Sequence, residues 1–258
     1  TGNNTTKAAI EEALTAELPP EGAIIATVRA DLDSIGAMAV LTLRARGENL
    51  KSASERIQLI AKNDKFARGG WPGRRPLPTR DNPWPEEQSS AESSRLLAAI
   101  AAAIGDFRVP IEERVQLMER WLLTGEEPKQ YCERVERERM EMVTALEDGT
   151  IKIREAGDGR IAVVESTYRA AISVGYCLAP VVVALNPEFR FQEGKPIRKF
   201  TVAQYETGYV DLQAVFTDLS ELEPGWGGSP TIGGSPQGVS STLTIGQVVE
   251  IVERHLLR

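Results

Sequence analysis

Two aspartates at a spacing of two, Asp31 and Asp33, stand between the apolar run Ala23-Ile-Ile-Ala-Thr-Val28 and the apolar stretch that begins at Ile35. Clustered carboxylates suit hard cations such as Mg²⁺ or Mn²⁺. If the run 23–28 is a strand, the pair lies at its C-terminal end, where open α/β sheets bind ligands. The alternative use of the pair is to cap the following helix. A second chemical feature is Gly225-Trp-Gly-Gly-Ser-Pro-Thr-Ile-Gly-Gly-Ser-Pro-Gln-Gly238. It holds six glycines in fourteen residues and repeats Gly-Gly-Ser-Pro. Glycine admits close backbone approach to a ligand. Successive N–H groups ahead of a helix form an anion cradle. The alternatives are a flexible surface loop or a glycine-bulged strand.

A third feature is basic. Lys65, Arg68, Arg74, Arg75 and Arg80 fall within sixteen residues, with Trp71 and Trp84 among and beside them. Arginine binds phosphate bidentately and tryptophan stacks on bases. Arg74 and Arg75 are therefore expected phosphate ligands. The competing expectation is a loop clamped by its tryptophans, with its arginines paired to acidic helices. Histidine chemistry is nearly closed off, because His255 is the single histidine. Triads, zinc sites and His-based acid–base pairs are not expected. His255 reads as a cation at a helix C-terminus.

These residues need a scaffold. The 258 residues are 41% hydrophobic and carry a net charge of −7, enough for a core and too acidic for a general nucleic-acid coat. No apolar run reaches the about 20 residues of a membrane span. Two cysteines, Cys132 and Cys177, and no signal peptide suggest a reducing compartment, and the expected location is cytoplasmic. The chain opens Thr1-Gly2 without methionine, which leaves room for a missing or processed N-terminus.

Periodicity and stop signals predict helices over 7–17, 33–46, 54–64, 93–104, 110–123 and 128–146. Five prolines and three glycines exclude regular structure over 67–85. After Gly149 the pattern changes. A hairpin is expected over 150–165 around Ala-Gly-Asp-Gly. A helix follows over 167–178, strands over 180–185 and 199–205, a helix over 210–222, and a last helix over 243–257. The expected class is α/β with two domains: a helix-rich N-terminal α/β domain, 1–149, and a C-terminal α/β domain with a mixed sheet, 150–258.

The sequence Asp31-Leu-Asp-Ser-Ile-Gly-Ala37 after an apolar run resembles the first motif of the DHH phosphoesterase superfamily. Gly227-Gly-Ser-Pro-Thr-Ile-Gly-Gly-Ser235 resembles the substrate loop of its DHH-associated C-terminal domain, Gly-Gly-Gly-His-x-x-Ala-Ala-Gly. The order of the parts also matches, although about twenty residues carry the likeness. The resemblance implies a phosphodiesterase or phosphatase that uses Mg²⁺ or Mn²⁺. Its metal and catalytic residues would be Asp31, Asp33 and Asp64. Gly227, Gly228, Ser229, Gly233, Gly234 and Ser235 would hold the phosphate of a phosphorylated small molecule or nucleotide, with nucleic acid left open. The departures are specific. The motif histidine falls on Thr27, the loop histidine on Pro230, and the Asp-His-His motif has no counterpart. Three aspartates suit one hydrated Mg²⁺ better than two ions about 3.5–4 Å apart. Two expectations follow: metal-assisted hydrolysis of a phosphoester, or a catalytically inactive nucleotide- or nucleic-acid-binding homologue.

Overall fold

Amphipathic stretches with clear stops build the first half of the chain. The computed structural model describes residues 7–20, 22–28, 30–65, 71–85, 94–168, 171–190 and 194–257. In them the chain is α/β, with helices and a mixed six-stranded sheet. Two compact units separate: residues 7–65 with 94–138, and residues 71–85 with 139–257. No helix among the described residues is long and apolar enough to cross a membrane.

In the first unit lie α1 (Ala9–Glu12), α2 (Leu32–Ala45), a 3-10 turn (Leu50–Ala53) leading into α3 (Ser54–Lys65), α4 (Ser94–Ile104), α5 (Ile111–Thr124) and the start of α6 (Lys129–Glu147). The apolar faces of α1 to α5 meet in one core around Ile10, Ile35, Leu43, Ile57, Ile60, Ile100, Met118 and Leu122, and the start of α6 packs through Tyr131 on Ala99 and Ala103 of α4. Each such side chain contributes about 1.5–3 kcal/mol of burial. Helix α5 ends at Gly125, whose left-handed backbone (φ 72°) turns its N–H onto the Trp121 carbonyl. Arg56 donates from Nε and Nη2 to the Leu122 carbonyl at 3.0 and 2.7 Å, satisfying an end that the helix itself leaves open.

The expected strand 23–28 does not form. The segment enters no ladder, and Ile24 and Val28 are exposed. A strand needs a partner, and the first unit offers none among its described residues. The α/β character resides in the second unit.

That unit holds β1 (Lys152–Ala156), β2 (Ile161–Glu165), α7 (Ala171–Gly175), β3 (Val181–Phe189), β4 (Ile197–Gln204), α8 (Leu212–Leu222), β5 (Gly227–Gly228), β6 (Ile232–Gly234) and α9 (Ile245–Arg254). The sheet order is β1-β2-β3-β4-β6-β5. Only β2 and β3 run parallel, with α7 in their connection, and Ile161 stands opposite Val181. The β1–β2 hairpin turns through Gly157-Asp158-Gly159, and Asp158 takes a left-handed φ of 54°. Strand alternation sends Ile161, Val163, Val181, Val183, Phe200 and Val202 to one face, under α8 and α9. Ala162, Val164, Val182 and Ala203 point to the other face. There they meet the end of α6, α7, and Trp71 and Leu77 of the proline-rich segment. The helix expected over 167–178 shrinks to α7 and a following turn; residues 169 and 170 lie outside the described residues.

Candidate functional site

The acidic pair sits where helix ends need acceptors. Asp31 is the N-cap of α2: its Oδ1 accepts from the Ser34 N–H at 3.0 Å, and the Ser34 hydroxyl accepts from the Asp31 N–H at 3.1 Å. Asp33 reaches across to α1, where Oδ2 accepts from the Ala9 N–H and Oδ1 from the Ile10 N–H, each at 2.9 Å. A carboxylate at a helix N-terminus satisfies unpaired donors and meets the positive end of the dipole. Gly36 completes the motif, since a Cβ there would lie 2.6 Å from Ile10 Cδ1. Asp-x-Asp-x-Ile-Gly is thus a packing device that joins α1 to α2. Asp64 is exposed near the end of α3. Among the described residues no three His, Cys, Asp or Glu side chains gather as a metal-ligand group. The arrangement offers a divalent cation no gathered ligand set among the described residues, and both oxygens of Asp33 already accept backbone N–H groups.

The glycine segment is a hairpin at the sheet edge. Gly227 pairs with Gly234 and Gly228 with Gly233, and β6 in turn pairs with β4. Glycine is required by close approach. A Cβ on Gly233 would stand 2.4 Å from both the Gly227 carbonyl oxygen and Phe216 Cζ, and one on Gly234 would stand 2.2 Å from the Phe200 oxygen. Ser229 closes the turn, with its N–H donating to the Ile232 carbonyl at 2.8 Å and its Oγ accepting from the Ile232 N–H at 3.1 Å. Ser235 is buried and its Oγ accepts from the Phe200 N–H. Residues 235–244 separate the hairpin from α9, whose N-terminus carries its own capping box of Thr244 and Gln247. The expected cradle against a helix N-terminus is therefore not formed by this segment. Within the hairpin Gly227 to Pro230 are exposed, with β5 as the sheet's outer edge.

Three polar residues that sequence reasoning missed hold this hairpin. Gln204 is buried and makes four hydrogen bonds: Nε2 donates to the Val210 and Pro230 carbonyls, and Oε1 accepts from the Tyr209 and Val210 N–H groups. Glu223 accepts from Trp226 Nε1 at 3.0 Å, Ser241 Oγ at 2.8 Å and the Thr242 N–H at 2.7 Å. Burial pushes its carboxyl up, but these hydrogen bonds outweigh that and hold it below the usual glutamate value. Lys199 donates to the Ser235 and Pro236 carbonyls, and partial burial depresses its pKa. Lys199 and Gln204 lie in β4 and Glu223 at the end of α8, and polar residues scattered in this way give no spacing pattern, so no sequence signal marks them.

The described part of the proline-rich segment, 71–85, is a strap over the second face of the sheet. Arg74 pairs bidentately with Glu155, one contact being 2.8 Å. Arg80 Nε lies 2.7 Å from Glu147 Oε2. Arg139 of α6 donates to the Pro83 carbonyl, and its guanidinium sits 4.3 Å from the centre of the Trp84 ring. Arg80, paired with α6, and the buried Trp84 follow the clamped-loop expectation, while Arg74 pairs with strand β1 instead of a helix. Arg75 differs. Its N–H donates to the Cys177 carbonyl at 2.9 Å, which draws the side chain inward to 7% exposure. Nε, Nη1 and Nη2 are all buried without a hydrogen-bond partner. Arg68 and the side chain of Lys65 lie outside the described residues. His255 caps the end of α9 and its Nε2 lies 2.8 Å from Asp218 Oδ2. No family model and no curated protein matches the chain.

Proposed function

We propose that this chain is a phosphate- or nucleotide-binding protein with the layout of a DHH phosphoesterase and without metal-dependent hydrolysis at the Asp31–Asp33 pair. In that layout residues 1–149 correspond to the DHH domain and 150–258 to its C-terminal partner. The observation that carries the choice of binder over hydrolase is the engagement of Asp33. Both of its oxygens hold backbone donors of α1, and Asp31 caps α2. Two carboxylates each committed to a helix start, with no third ligand beside them among the described residues, give a poor frame for a hydrated cation and a nucleophilic water. Support for binding comes from the second unit. A sheet edge of exposed glycine lets a ligand reach the backbone, and a strap of arginine and tryptophan lies over one sheet face.

The test is a panel of phosphomonoesters, cyclic dinucleotides and short oligonucleotides, with Mg²⁺ and with Mn²⁺. The binding reading expects measurable affinity for at least one of them, weakened by salt and indifferent to the cation. Hydrolysis that vanishes in Asp31→Ala or Asp33→Ala overturns it in favour of a phosphoesterase.

A further inference from the structure

We propose that Arg75 anchors a phosphate group of a nucleotide-like ligand on the strap side of the second unit. This rests on the phosphate-binding reading above and names the residue that serves it. A guanidinium stays charged at any ordinary pH and carries five donors in a fixed fork. Burying it without a counter-charge or an acceptor is strongly unfavourable, and native structures rarely leave such a group unanswered. Its neighbours show the usual outcome: Arg74 pairs with Glu155, Arg80 with Glu147, and Arg139 with the Pro83 carbonyl and the Trp84 ring. Arg75 is the more deeply buried of the adjacent pair and has no such partner among the described residues.

Its position is held in place. The backbone bond to Cys177 fixes the residue from one side, and Pro76 and Pro78 restrict the chain that follows. A group held this way pays little ordering entropy when it binds. Half-buried aromatic rings of Trp71, Tyr168 and Tyr205 pack on the apolar cluster that the strap covers. Ile232 of the glycine hairpin packs on that same cluster. A fork of unanswered donors fits a bidentate oxyanion such as phosphate, and the aromatic rings of the strap's cluster supply apolar surface on the same side of the sheet for the group that carries it.

Thermal unfolding of the full chain tests this, with inorganic phosphate, AMP and acetate as probes, on wild type, Arg75→Met and Arg75→Lys. The expected result is a rise in wild-type melting temperature with phosphate, a larger rise with AMP, and little with acetate. Arg75→Met, which removes the buried charge, should melt no lower than wild type without ligand and lose the response. Arg75→Lys keeps a charge without the fork and should bind phosphate at least tenfold more weakly. An equal response in wild type and Arg75→Met overturns the assignment and leaves the binding reading intact. A response to acetate as large as that to phosphate overturns the ligand class. No wild-type response to any probe overturns both the assignment and the reading beneath it. Should Arg75→Met fail to fold, the Nε–Hε resonance of Arg75, identified by its loss in Arg75→Lys, serves instead. It should shift on phosphate titration, and an unmoved resonance overturns the proposal.

Discussion

Replacing Asp33 with alanine separates capping from metal binding in one measurement. The substitution removes two hydrogen bonds to a charged acceptor, one at the half-buried Ile10 N–H and one at the exposed Ala9 N–H. Bonds to charged groups contribute about 1.5–3 kcal/mol each when shielded and less when exposed, so the pair is worth about 2 kcal/mol. Helix α1 has four residues and cannot persist without its docking, which seats the buried Ile10 against α2. For a chain of this size about 2 kcal/mol corresponds to a drop of about 4–8 °C in melting temperature. Asp33→Asn keeps one acceptor oxygen and should lose about half as much. Urea and thermal unfolding followed by circular dichroism, with and without Mg²⁺ or Mn²⁺, read the two quantities. Capping predicts the same loss under all conditions, with no cation-dependent stabilisation in the wild type. Unchanged stability in metal-free buffer, together with a cation-dependent gain that only the wild type shows, would refute the capping argument.

The glycine hairpin makes a sharper contrast between neighbours: Gly234→Ala, whose Cβ would meet the Phe200 oxygen at 2.2 Å, should cost at least about 2 kcal/mol, while Gly227→Ala, with open space around it, should stay within about 0.5 kcal/mol. Denaturant midpoints of the two variants check this. Gln204→Leu strands the Val210 N–H in the interior and should cost about 3 kcal/mol or more, with accelerated hydrogen exchange at Tyr209 and Val210. Glu223 has a folded-state pKa below its unfolded value, so its contribution is present above the ordinary glutamate pKa and is lost as pH falls through the lower, folded one. The stability gap between wild type and Glu223→Gln should be constant near neutrality and close in acid; a gap that persists at low pH would show that hydrogen-bond geometry, not charge, makes the difference.

Long helices were readable because their periodicity and stops are local. The stretches expected over 33–46, 110–123 and 128–146 match α2, α5 and α6 within one or two residues. Pro110 marks the start of α5, and Gly125 its end. The β1–β2 hairpin was equally readable, because Gly157-Asp158-Gly159 dictates a left-handed turn. The run 23–28 misled because a strand is defined by a partner that its own sequence does not contain. The glycine segment was ambiguous for a different reason. The same composition serves backbone approaching a ligand and backbone approaching backbone, and only the distances to Phe200 and Phe216 separate the two. The acidic motif behaves alike, since capping and cation binding both want carboxylates before a helix. Arg74 and Arg75 are adjacent and chemically identical, yet one lies in an exposed ion pair and the other is buried. That difference depends on Glu155 and Cys177, far along the chain.

The strap has a consequence for how the molecule is made. Its bond from Arg75 to Cys177 closes a loop of about 100 residues, so the strap leaves the ribosome long before the surface it covers. At about 5–20 residues per second, Trp71 and Leu77 wait roughly 5–20 seconds for their partners. Cutting the gene at 149 turns that delay into a permanent separation: a chain beginning there carries the sheet but neither the strap nor Met142 and Ala145 of α6, and the face with Ala162, Val164 and Val182 keeps α7 but loses the rest of its cover. Proline at 72, 76 and 78 keeps the waiting segment from settling into a helix or strand of its own in the meantime.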